Sequence, residues 1–322
     1  MVPSGAISLA MYASVGKVGI TTVELATSQA FYNMVFASSS LRNFIFSRLE
    51  KSSDNDEWLP LVSTGTQSNL NADKIKNWCI SVPNPDEQKL VGDFFKTLDS
   101  LLTLHQRKYE KLLNIKKSML EKMFPKEGEV VPEIRFKGFT GAWEQRKIGD
   151  YLTLSKIPGH TGVDAKKLTV KLWGKGVVEK TDIYGGSQNT QYYVRRAGQF
   201  MYGKLDFLHA AFGIVPKSLD RFESTLDSPA FDLHEIDGAF LQNRVTQQNF
   251  YLKFGNIANG SRKAKRIHEV TFLDMPIVVP SYAEQKKIGA FLNKLDSLLT
   301  LHQRKLEMLK NVKQAFLEKM FV

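Results

Sequence analysis

The chain has 322 residues, of which 43% are hydrophobic and 24% are charged, and its formal net charge is +11 at pH 7. This length allows about two domains, and the apolar content lets each of them bury a core. No run of about 18 uncharged apolar residues occurs, which argues against a membrane span, and residues 1–16 lack the features of a signal peptide. The single cysteine, Cys79, excludes a disulfide framework, so we expect a cytoplasmic protein with this thiol buried beside Trp78 and Ile80.

The positive charge is unevenly distributed along the chain. Residues 1–83 carry 6 basic and 6 acidic side chains, whereas residues 128–282 carry 21 and 16 and residues 283–322 carry 8 and 4. The second half of the chain is therefore net positive, by 5 and by 4 charges in these two segments. Such an excess favours a polyanionic partner such as nucleic acid.

Residues 1–83 are predicted to be a first globular piece, and residues 84–125 to follow it as a long helix. Apolar side chains recur in the second segment at steps of three and four residues, which is typical of an amphipathic helix with a wide apolar stripe. Pro83 precedes this segment and Pro125 ends it, and proline is disfavoured inside a helix.

Residues 126–142 contain glycine and proline without a helical period, and they are predicted to be a linker. Residues 143–282 form a second globular piece, in which short β-rich runs alternate with turns. The pattern favours an α+β (mixed α/β) fold. The predicted strands are Leu168–Leu172, Gln191–Val194, Gln199–Tyr202, Phe212–Val215, Phe250–Phe254 and Met275–Val279.

Residues 283–322 repeat the long helix. Leu98–Lys108 and Leu295–Lys305 share the sequence LDSLLTLHQRK at an offset of 197 residues. Such long helices cannot hide their apolar stripes against small domains, so we predict that the two copies pair as a coiled coil. Self-association of two chains through these helices is the alternative. The residues predicted to pair the helices are Leu98, Leu101, Leu102, Leu112, Leu295, Leu298, Leu299 and Leu309.

The two globular pieces also align, but more weakly, and they differ in length. The second piece runs about 140 residues before its helix, whereas the first has only 83. A counterpart of residues 143–196 is missing from the first copy. We therefore expect that the chain begins inside a domain.

Motifs of self-contained enzymes are missing from the sequence. The Glu87-Gln88-Lys89 run has the residue types of a nuclease site, but without the spacer that places them on separate strands, so a helix start is the better interpretation. There is no methyltransferase motif, phosphate-binding loop or dinucleotide-binding loop. His105 and His302 are isolated on the helix stripes, and no cluster has zinc-ligand spacing. We therefore predict no catalytic residues, no metal site and no cofactor.

DNA contacts are predicted in two clusters of the second globular piece. Glutamine and asparagine amides can bond to adenine, arginine to guanine, and exposed cations to phosphates. Residues 164–204 combine an excess of basic side chains with a polar loop that carries amides and aromatic rings. The candidates in this first cluster are Lys166, Lys167, Lys171, Lys175, Gln188, Asn189, Gln191, Tyr192, Tyr193, Arg195, Arg196 and Lys204. The second cluster lies before the second helix and consists of Arg262, Lys263, Lys265 and Arg266.

The layout resembles the specificity subunit of type I restriction-modification systems across essentially the whole chain. The matching motifs are Pro83 followed by Glu87-Gln88-Lys89, Pro280 followed by Glu284-Gln285-Lys286, Leu98-Asp99, Leu295-Asp296, Pro132-Glu133-Ile134-Arg135-Phe136, and Trp143-Glu144. The resemblance implies two target-recognition domains, each followed by a long helix, with the helices packed as an antiparallel coiled coil. The first domain departs from this pattern because it is shorter than the second.

The resemblance also implies a function and partners. A specificity subunit is a non-catalytic, sequence-specific binder of double-stranded DNA. It recruits modification subunits that methylate adenine and restriction subunits with ATP-dependent nuclease activity, and its coiled coil sets the spacing of two half-sites. The alternative is an interaction protein whose helices bind the partner subunits without specific DNA recognition.

Overall fold

The computed structural model describes residues 1–63, 69–162, 164–181, 187–256 and 266–321. The chain forms two compact units. Unit 1 consists of Met1–Lys111 together with Leu299–Val322, and unit 2 consists of Leu112–Leu298. Each unit contains one globular piece, residues 1–83 or residues 143–282, and a part of both long helices.

The globular piece of unit 1 is a small antiparallel sheet covered by a helix. Its elements are β1 (Ile7–Ala10), β2 (Val18–Ile20), β3 (Phe31–Met34), α1 (Ser39–Asp54), β4 (Val62–Ser63), β5 (Asn69–Leu70) and α2 (Ala72–Lys76). The strand order of the main sheet is β2-β1-β3. Ser38 caps α1 by accepting a hydrogen bond from the Leu41 backbone amide. Ile7 and Leu9 on β1 pack with Phe44 and Leu49 on α1 in one buried cluster.

The first long helix, α3, spans Pro85–Lys122, with proline at the first helical position, where its missing N–H costs nothing. It leads into unit 2, which is rich in short strands. These strands are β6 (Glu144–Lys147), β7 (Leu152–Ser155), β8 (Ile157–Thr161), β9 (Leu168–Val170), β10 (Val177–Glu179), β11 (Gln191–Val194), β12 (Phe200–Tyr202), β13 (Phe212–Ile214), β14 (Glu223–Ser224), β15 (Ala230–Leu233) and β16 (Pro276–Val279). The helices of unit 2 are α4 (Gly238–Val245), α5 (Gln248–Gly255) and α6 (Glu269–Leu273), and the second long helix, α7, spans Tyr282–Met320.

An aromatic core holds unit 2 together. The central sheet has the order β13-β12-β15-β7, and β6 pairs with β16 while β11 lies between β14 and β8. Phe200, Tyr202, Phe212, Phe231 and Phe272 are all fully buried. Their rings contact one another, as in the stacked pair Phe200–Phe272 with centroids 5.8 Å apart. Aromatic pairs in this distance range add to the gain from burial.

The two long helices pack antiparallel in both units, as expected. In unit 1, the ring of Phe94 contacts that of Phe316, and His105 Nδ1 lies 2.8 Å from His302 Nδ1. In unit 2, Lys116 forms an ion pair with Asp296. The residue numbers therefore rise along one helix as they fall along the other. The mixed helix and strand content and this helix pairing confirm the predicted fold class.

The predicted pairing leucines differ in their burial. Leu98, Leu295 and Leu299 are buried. Leu102, Leu112, Leu298 and Leu309 are half-buried. Leu101 corrects the prediction, because its side chain is 38% exposed. It precedes Leu102 by one residue, and this step turns its side chain about 100° away from the stripe.

Two further expectations are corrected by the structure. Phe250–Phe254, predicted as a strand, belongs to helix α5. The apolar run fits a helix because Phe250 and Phe254 stand four residues apart on one face, with ring centroids 4.8 Å apart. Cys79, predicted to be buried, is exposed. By contrast, the strand Gln191–Val194 is confirmed at both ends, and the other predicted strands shift by one or two residues.

The internal repeat is visible in the folded chain. The order β2-β1-β3 in unit 1 corresponds to β13-β12-β15 in unit 2, with β7 added at the edge of the latter. Gly92 on α3 and Gly289 on α7 are 197 positions apart, and each lies against the N-terminal half of a helix, α1 and α4 respectively. A Cβ at Gly92 would approach the Phe44 backbone nitrogen to 3.0 Å, and one at Gly289 would approach the Phe240 nitrogen to 3.1 Å. Both glycines thus permit close helix packing.

Candidate nucleic-acid interface

The polar loop singled out in the sequence ends beside strand β8. Gln188 and Asn189 are exposed, and Gln191 opens β11, where it pairs with Thr161 of β8. A Cβ on Gly162 would come within 2.9 Å of the Gln188 backbone, so the turn after β8 packs closely against the loop. The three predicted amide residues therefore lie at the start of β11 and in the turn just before it.

Gln191 is held by backbone acceptors. Its side-chain nitrogen donates to the Gly159 carbonyl at 3.0 Å and to its neighbour Tyr192 at 2.6 Å. A base contact by this nitrogen would require these hydrogen bonds to be given up. Gln188 and Asn189 carry no such contact among the described residues, so they are better placed to read a base edge.

His160 adds an exposed imidazole that was not predicted from the sequence. Its Nδ1 lies 2.5 Å from Oε1 of the buried Glu223, while the imidazole itself is 66% exposed. The hydrogen bond to Glu223, followed by its negative charge, raises the pKa of His160. Gly159 makes this approach possible, since a Cβ there would lie 2.3 Å from the Glu223 carboxylate. The contact with Glu223, 63 residues downstream, distinguishes this histidine from an ordinary surface side chain. The sequence alone does not reveal that contact.

A basic hairpin forms the second part of the surface. Strands β9 and β10 pair antiparallel, and Lys171 and Lys175 are exposed in the loop between them. Trp173 lies between these lysines, is 56% exposed and contacts the His209 ring edge to face at 5.5 Å. An exposed tryptophan in a basic loop suits contact with sugars or bases. Trp173 and His209 were not among the predicted residues, although the run Lys-Leu-Trp-Gly-Lys was a usable signal.

Three more candidates lie between the two parts. Lys166 is exposed, whereas Lys167 is half-buried with its ammonium 5.1 Å from the centroid of the Tyr192 ring. Tyr192 itself is buried. This cation–π contact joins the base of the hairpin to β11.

Arg195 and Lys204 are corrected from surface contacts to internal ones. Arg195 is fully buried, and its guanidinium donates to Ser224 Oγ at 2.7 Å. Lys204 is buried as well and forms an ion pair with Glu269 at 2.8 Å. Neither side chain is accessible to DNA. Both residues are buried because they lie just after strands of the core, β11 and β12. A count of charges along the sequence cannot reveal this burial.

The remaining candidates have mixed placements. Tyr193 is half-buried with the Arg195 guanidinium 5.7 Å from its ring, and Arg196 is exposed. Arg266 is partly exposed, with Nε 3.5 Å from Asp227 Oδ1. Arg262, Lys263 and Lys265 lie outside the described residues.

The described part of the chain shows no group of three or more histidine, cysteine, aspartate or glutamate side chains placed to hold a metal ion. Within the same residues, no helix is long and apolar enough to cross a membrane. The surface of unit 2 thus offers amides, cations and an exposed aromatic ring, which is the chemistry of nucleic-acid contacts.

Both the family match and a similar curated protein concern type I restriction-modification specificity proteins. Residues 1–114 match the family described as type I restriction modification DNA specificity domain. The specificity subunit of the type I restriction enzyme MjaIX from Methanocaldococcus jannaschii is 27% identical over 157 residues. That match covers 47% of this chain and 36% of the relative, so the chain spans about a third of that protein's length.

A solved structure shares the fold. The S subunit of a type I restriction-modification system from M. genitalium superposes with a TM-score of 0.66 at 15% identity. The match covers 100% of this chain and 84% of that one. At this identity the likeness concerns the fold alone, and it supports the arrangement of short strands and paired long helices.

Proposed function

We propose that the chain is a specificity subunit of a type I restriction-modification system, a non-catalytic subunit that recognises double-stranded DNA; the family match over residues 1–114 and the similarity to a specificity subunit support this. The two globular pieces, residues 1–83 and 143–282, are the proposed target-recognition domains. Helices α3 and α7 and the linker 126–142 form the shared frame of the two domains.

One observation carries the proposal for DNA recognition. Exposed amides at Gln188 and Asn189 share the surface of unit 2 with the His160 imidazole and the cations of Lys171 and Lys175. Cations bind phosphates and position a protein on the duplex, whereas amides discriminate bases in the major groove. The surface therefore has both parts that sequence-specific recognition needs.

The proposed partners follow from the family. The paired helices recruit modification subunits that methylate adenine, and ATP-dependent restriction subunits join this assembly. Self-association through the helices is the alternative assembly. The absence of a self-contained catalytic motif in the sequence agrees with chemistry carried by partner subunits.

A competition titration of the full chain against randomised duplexes, at several salt concentrations, tests DNA recognition. Replacing Lys171 and Lys175 by alanine should weaken binding to all sequences and lower the salt slope by about 0.9 for each phosphate that is no longer neutralised. Replacing Gln188 or Asn189 by alanine should instead relax preference at single base pairs by about 1–3 kcal/mol. Lys17→Ala, an exposed cation of unit 1, is the matched control and should leave both quantities unchanged.

The same titration separates recognition from the alternative function. A chain that binds modification subunits but shows equal affinity for all duplexes would be an assembly protein without DNA selectivity. Loss of affinity for DNA with Lys17→Ala but not with Lys171→Ala would show that the DNA-binding surface lies on unit 1.

The proposed lack of catalysis has its own test. The purified chain, given S-adenosylmethionine, ATP and Mg²⁺, should neither methylate nor cleave DNA. Activity should appear only when modification and restriction subunits are added. Turnover by the single chain would contradict the assignment.

A further inference from the structure

Trp173, at the tip of the β9–β10 hairpin, has a strained backbone. Its φ angle is +61°, in the left-handed region that bulky side chains rarely adopt. The next residue, Gly174, has a φ of +65°, which glycine adopts freely. Strain of this kind persists only where the surrounding contacts impose it, and it is concentrated at binding and catalytic sites. The conformation of Trp173 therefore calls for a functional explanation.

Backbone contacts with the rest of unit 2 hold this tip in place. The Trp173 amide donates to the His209 carbonyl at 2.7 Å, and the Gly174 amide donates to the Ala210 carbonyl at 2.8 Å. A Cβ on Gly174 would lie 2.8 Å from the side chain of Thr246, at the end of α4. The tip is thus packed closely against its own domain, so its shape does not depend on a ligand.

The indole of Trp173 stays exposed although its backbone is anchored. All four tryptophans of the chain lie within the described residues. Trp58 and Trp143 are buried and Trp78 is half-buried, whereas Trp173 is 56% exposed. Its contact with the His209 ring is edge to face, with the ring planes at 78°, so at least one face of the indole is not covered by the histidine. A rigid turn thus presents an uncovered aromatic face.

The hairpin around this ring is basic. Residues 166–180 contain five lysines and one acidic residue, Glu179. Lys171 and Lys175 stand two residues before and two residues after Trp173, and both are exposed. An aromatic face between two cations matches a partner that offers flat rings beside negative charges. The bases and phosphates of DNA have this combination.

We propose that Trp173 is a wedge that enters one base step of the bound duplex and stacks on a base whose own stacking it opens. The inference rests on the proposed DNA recognition and adds a deformation of the DNA to it. Lys171 and Lys175 bind phosphates beside the opened step. A ring that is already held in place loses little freedom on binding, which is the benefit of the strained turn.

Such a wedge would contribute specificity without a hydrogen bond to a base. Opening a base step costs least at flexible pyrimidine–purine steps such as TA and CA. The amides of Gln188 and Asn189 would read base edges, whereas Trp173 would select a deformable step. The preferred duplexes should therefore contain one such step at a fixed distance from the positions that respond to Gln188→Ala or Asn189→Ala.

Trp173→Gly is the variant that tests the wedge. Glycine keeps the amide that donates to His209 and adopts the positive φ without strain, so the melting temperature should not fall. Affinity of the full chain for the preferred intact duplex should drop about tenfold, with an unchanged salt slope because no phosphate contact is lost. Trp173→Phe should restore most of the affinity. Val270→Ala, at an exposed apolar position outside the hairpin, is the control and should bind like the natural chain.

Duplexes with a single abasic site, moved one position at a time, test insertion itself. At the opened step the cost of unstacking has already been met, so the natural chain should bind that duplex more tightly than the intact one. Trp173→Gly should not distinguish the two. DNA should also protect the exposed tryptophan fluorescence from acrylamide quenching in the natural chain, and this protected component should be missing from Trp173→Gly.

Three results would overturn the proposal, and they differ in what they leave standing. Unchanged affinity of Trp173→Gly for DNA would remove the wedge and leave DNA recognition intact. An equal loss on intact and abasic duplexes would mean that the ring contacts DNA without entering a step. If Trp173→Gly lost binding to a modification subunit but not to DNA, the indole would be a protein contact. A natural chain that binds no duplex would contradict both the wedge and the proposed function.

Discussion

The guanidinium of Arg195 connects two sheets of unit 2. It donates to Ser224 Oγ on β14 at 2.7 Å and to the Ser155 carbonyl on β7 at 3.1 Å. A further nitrogen lies 3.4 Å from each of three carbonyls, those of Ser224, Thr225 and Ser228. Burial lowers the pKa of Arg195 to about 10, so the group stays charged at neutral pH.

Removal of this group should therefore destabilise the fold and should not act on DNA directly. Arg195→Met is expected to cost about 2–4 kcal/mol of unfolding free energy, because buried carbonyls lose their donors. The neighbouring Arg196→Ala, at an exposed position, should change stability by about 0.5 kcal/mol or less. Urea unfolding measures both variants. Equal stability of the two would contradict the structural role of Arg195.

The His105–His302 contact predicts a pH dependence of stability. One neutral ring must accept the proton that the other donates, so protonation of the accepting nitrogen removes the bond. Partial burial, then His302, Lys305 and Lys108, lower the pKa of His105 below its ordinary 6.5. The unfolded chain then binds this proton more tightly, so stability is unaffected at high pH and falls as pH drops below about 6.5.

Urea unfolding at about pH 8 and about pH 5.5 measures this effect, with a double variant His105→Asn and His302→Asn that does not titrate. The double variant should lose less stability on acidification than the natural chain. The variant His160→Asn serves as a control, because His160 should contribute a pH dependence of stability with the opposite sign. Because the pKa of His160 is raised, its stabilisation is present below about pH 6.5 and is lost as pH rises through the higher folded value.

At the level of the helices, the apolar stripe follows steps of four and three residues. Leu98, Leu102 and His105 lie on it in α3, and the repeat places Leu295, Leu299 and His302 at the same positions in α7. Leu98 is 7% exposed, whereas Leu101 is 38% exposed. These two leucines on one helix thus form a matched pair for mutation.

Leu98→Ala should lower the unfolding free energy by about 2–4 kcal/mol, since it leaves a cavity in a packed seam. Leu101→Ala should cost about 1 kcal/mol or less. Thermal melting followed by the helical circular dichroism signal compares the two. A larger loss for Leu101→Ala would place the seam on a different face of α3.

The long helices could be predicted from sequence because their signal extends over ten turns, but short apolar runs were ambiguous. Phe250–Phe254 fits a strand by composition and a helix by its four-residue spacing, and packing against the core of unit 2 favours the helix. Strands β6 and β8 carry mostly exposed residues, so their pairing partners define them rather than an alternating pattern.

The candidate site was predictable only in part, for a similar reason. Lys171 and Lys175 are exposed because they stand in a turn, and a turn can be inferred locally. The burial of Arg195 depends on Ser155 and Ser224, each about 30 to 40 residues away in sequence. Only the folded sheets bring such partners together.

At the scale of the whole molecule, each unit is completed by the far end of a helix that begins in the other unit. Phe321, just after α7, contacts Phe44 of α1 with ring centroids 5.1 Å apart. Phe124, just after α3, stacks on Phe240 of α4 at 5.4 Å. Both end residues are buried. Phe44 and Phe321, 277 positions apart in sequence, therefore share the core of unit 1.

Phe321→Ala and Phe124→Ala should each cost about 3–5 kcal/mol. Hydrogen exchange locates the loss. We expect faster exchange in α1 for the first variant and in α4 for the second, because each ring packs against that helix. Phe316→Ala, at a position 41% exposed, is the milder control. Uniformly faster exchange throughout the chain in both variants would mean that the two units unfold as one.

The polar contacts between the long helices have a consequence for slippage. Lys313–Asp99 and Lys116–Asp296 are the same repeat pair formed twice, and His105 meets its own counterpart, His302. A slip of one heptad, about 10 Å, would keep the apolar stripes of the two helices facing each other. It would also set His105 against a leucine, Leu295 or Leu309, and leave both ion pairs broken. A misaligned pairing would therefore lose three polar contacts, the two ion pairs and the contact between the histidines. An insertion or deletion of a heptad in one helix would be tolerated only with a matching change in the other.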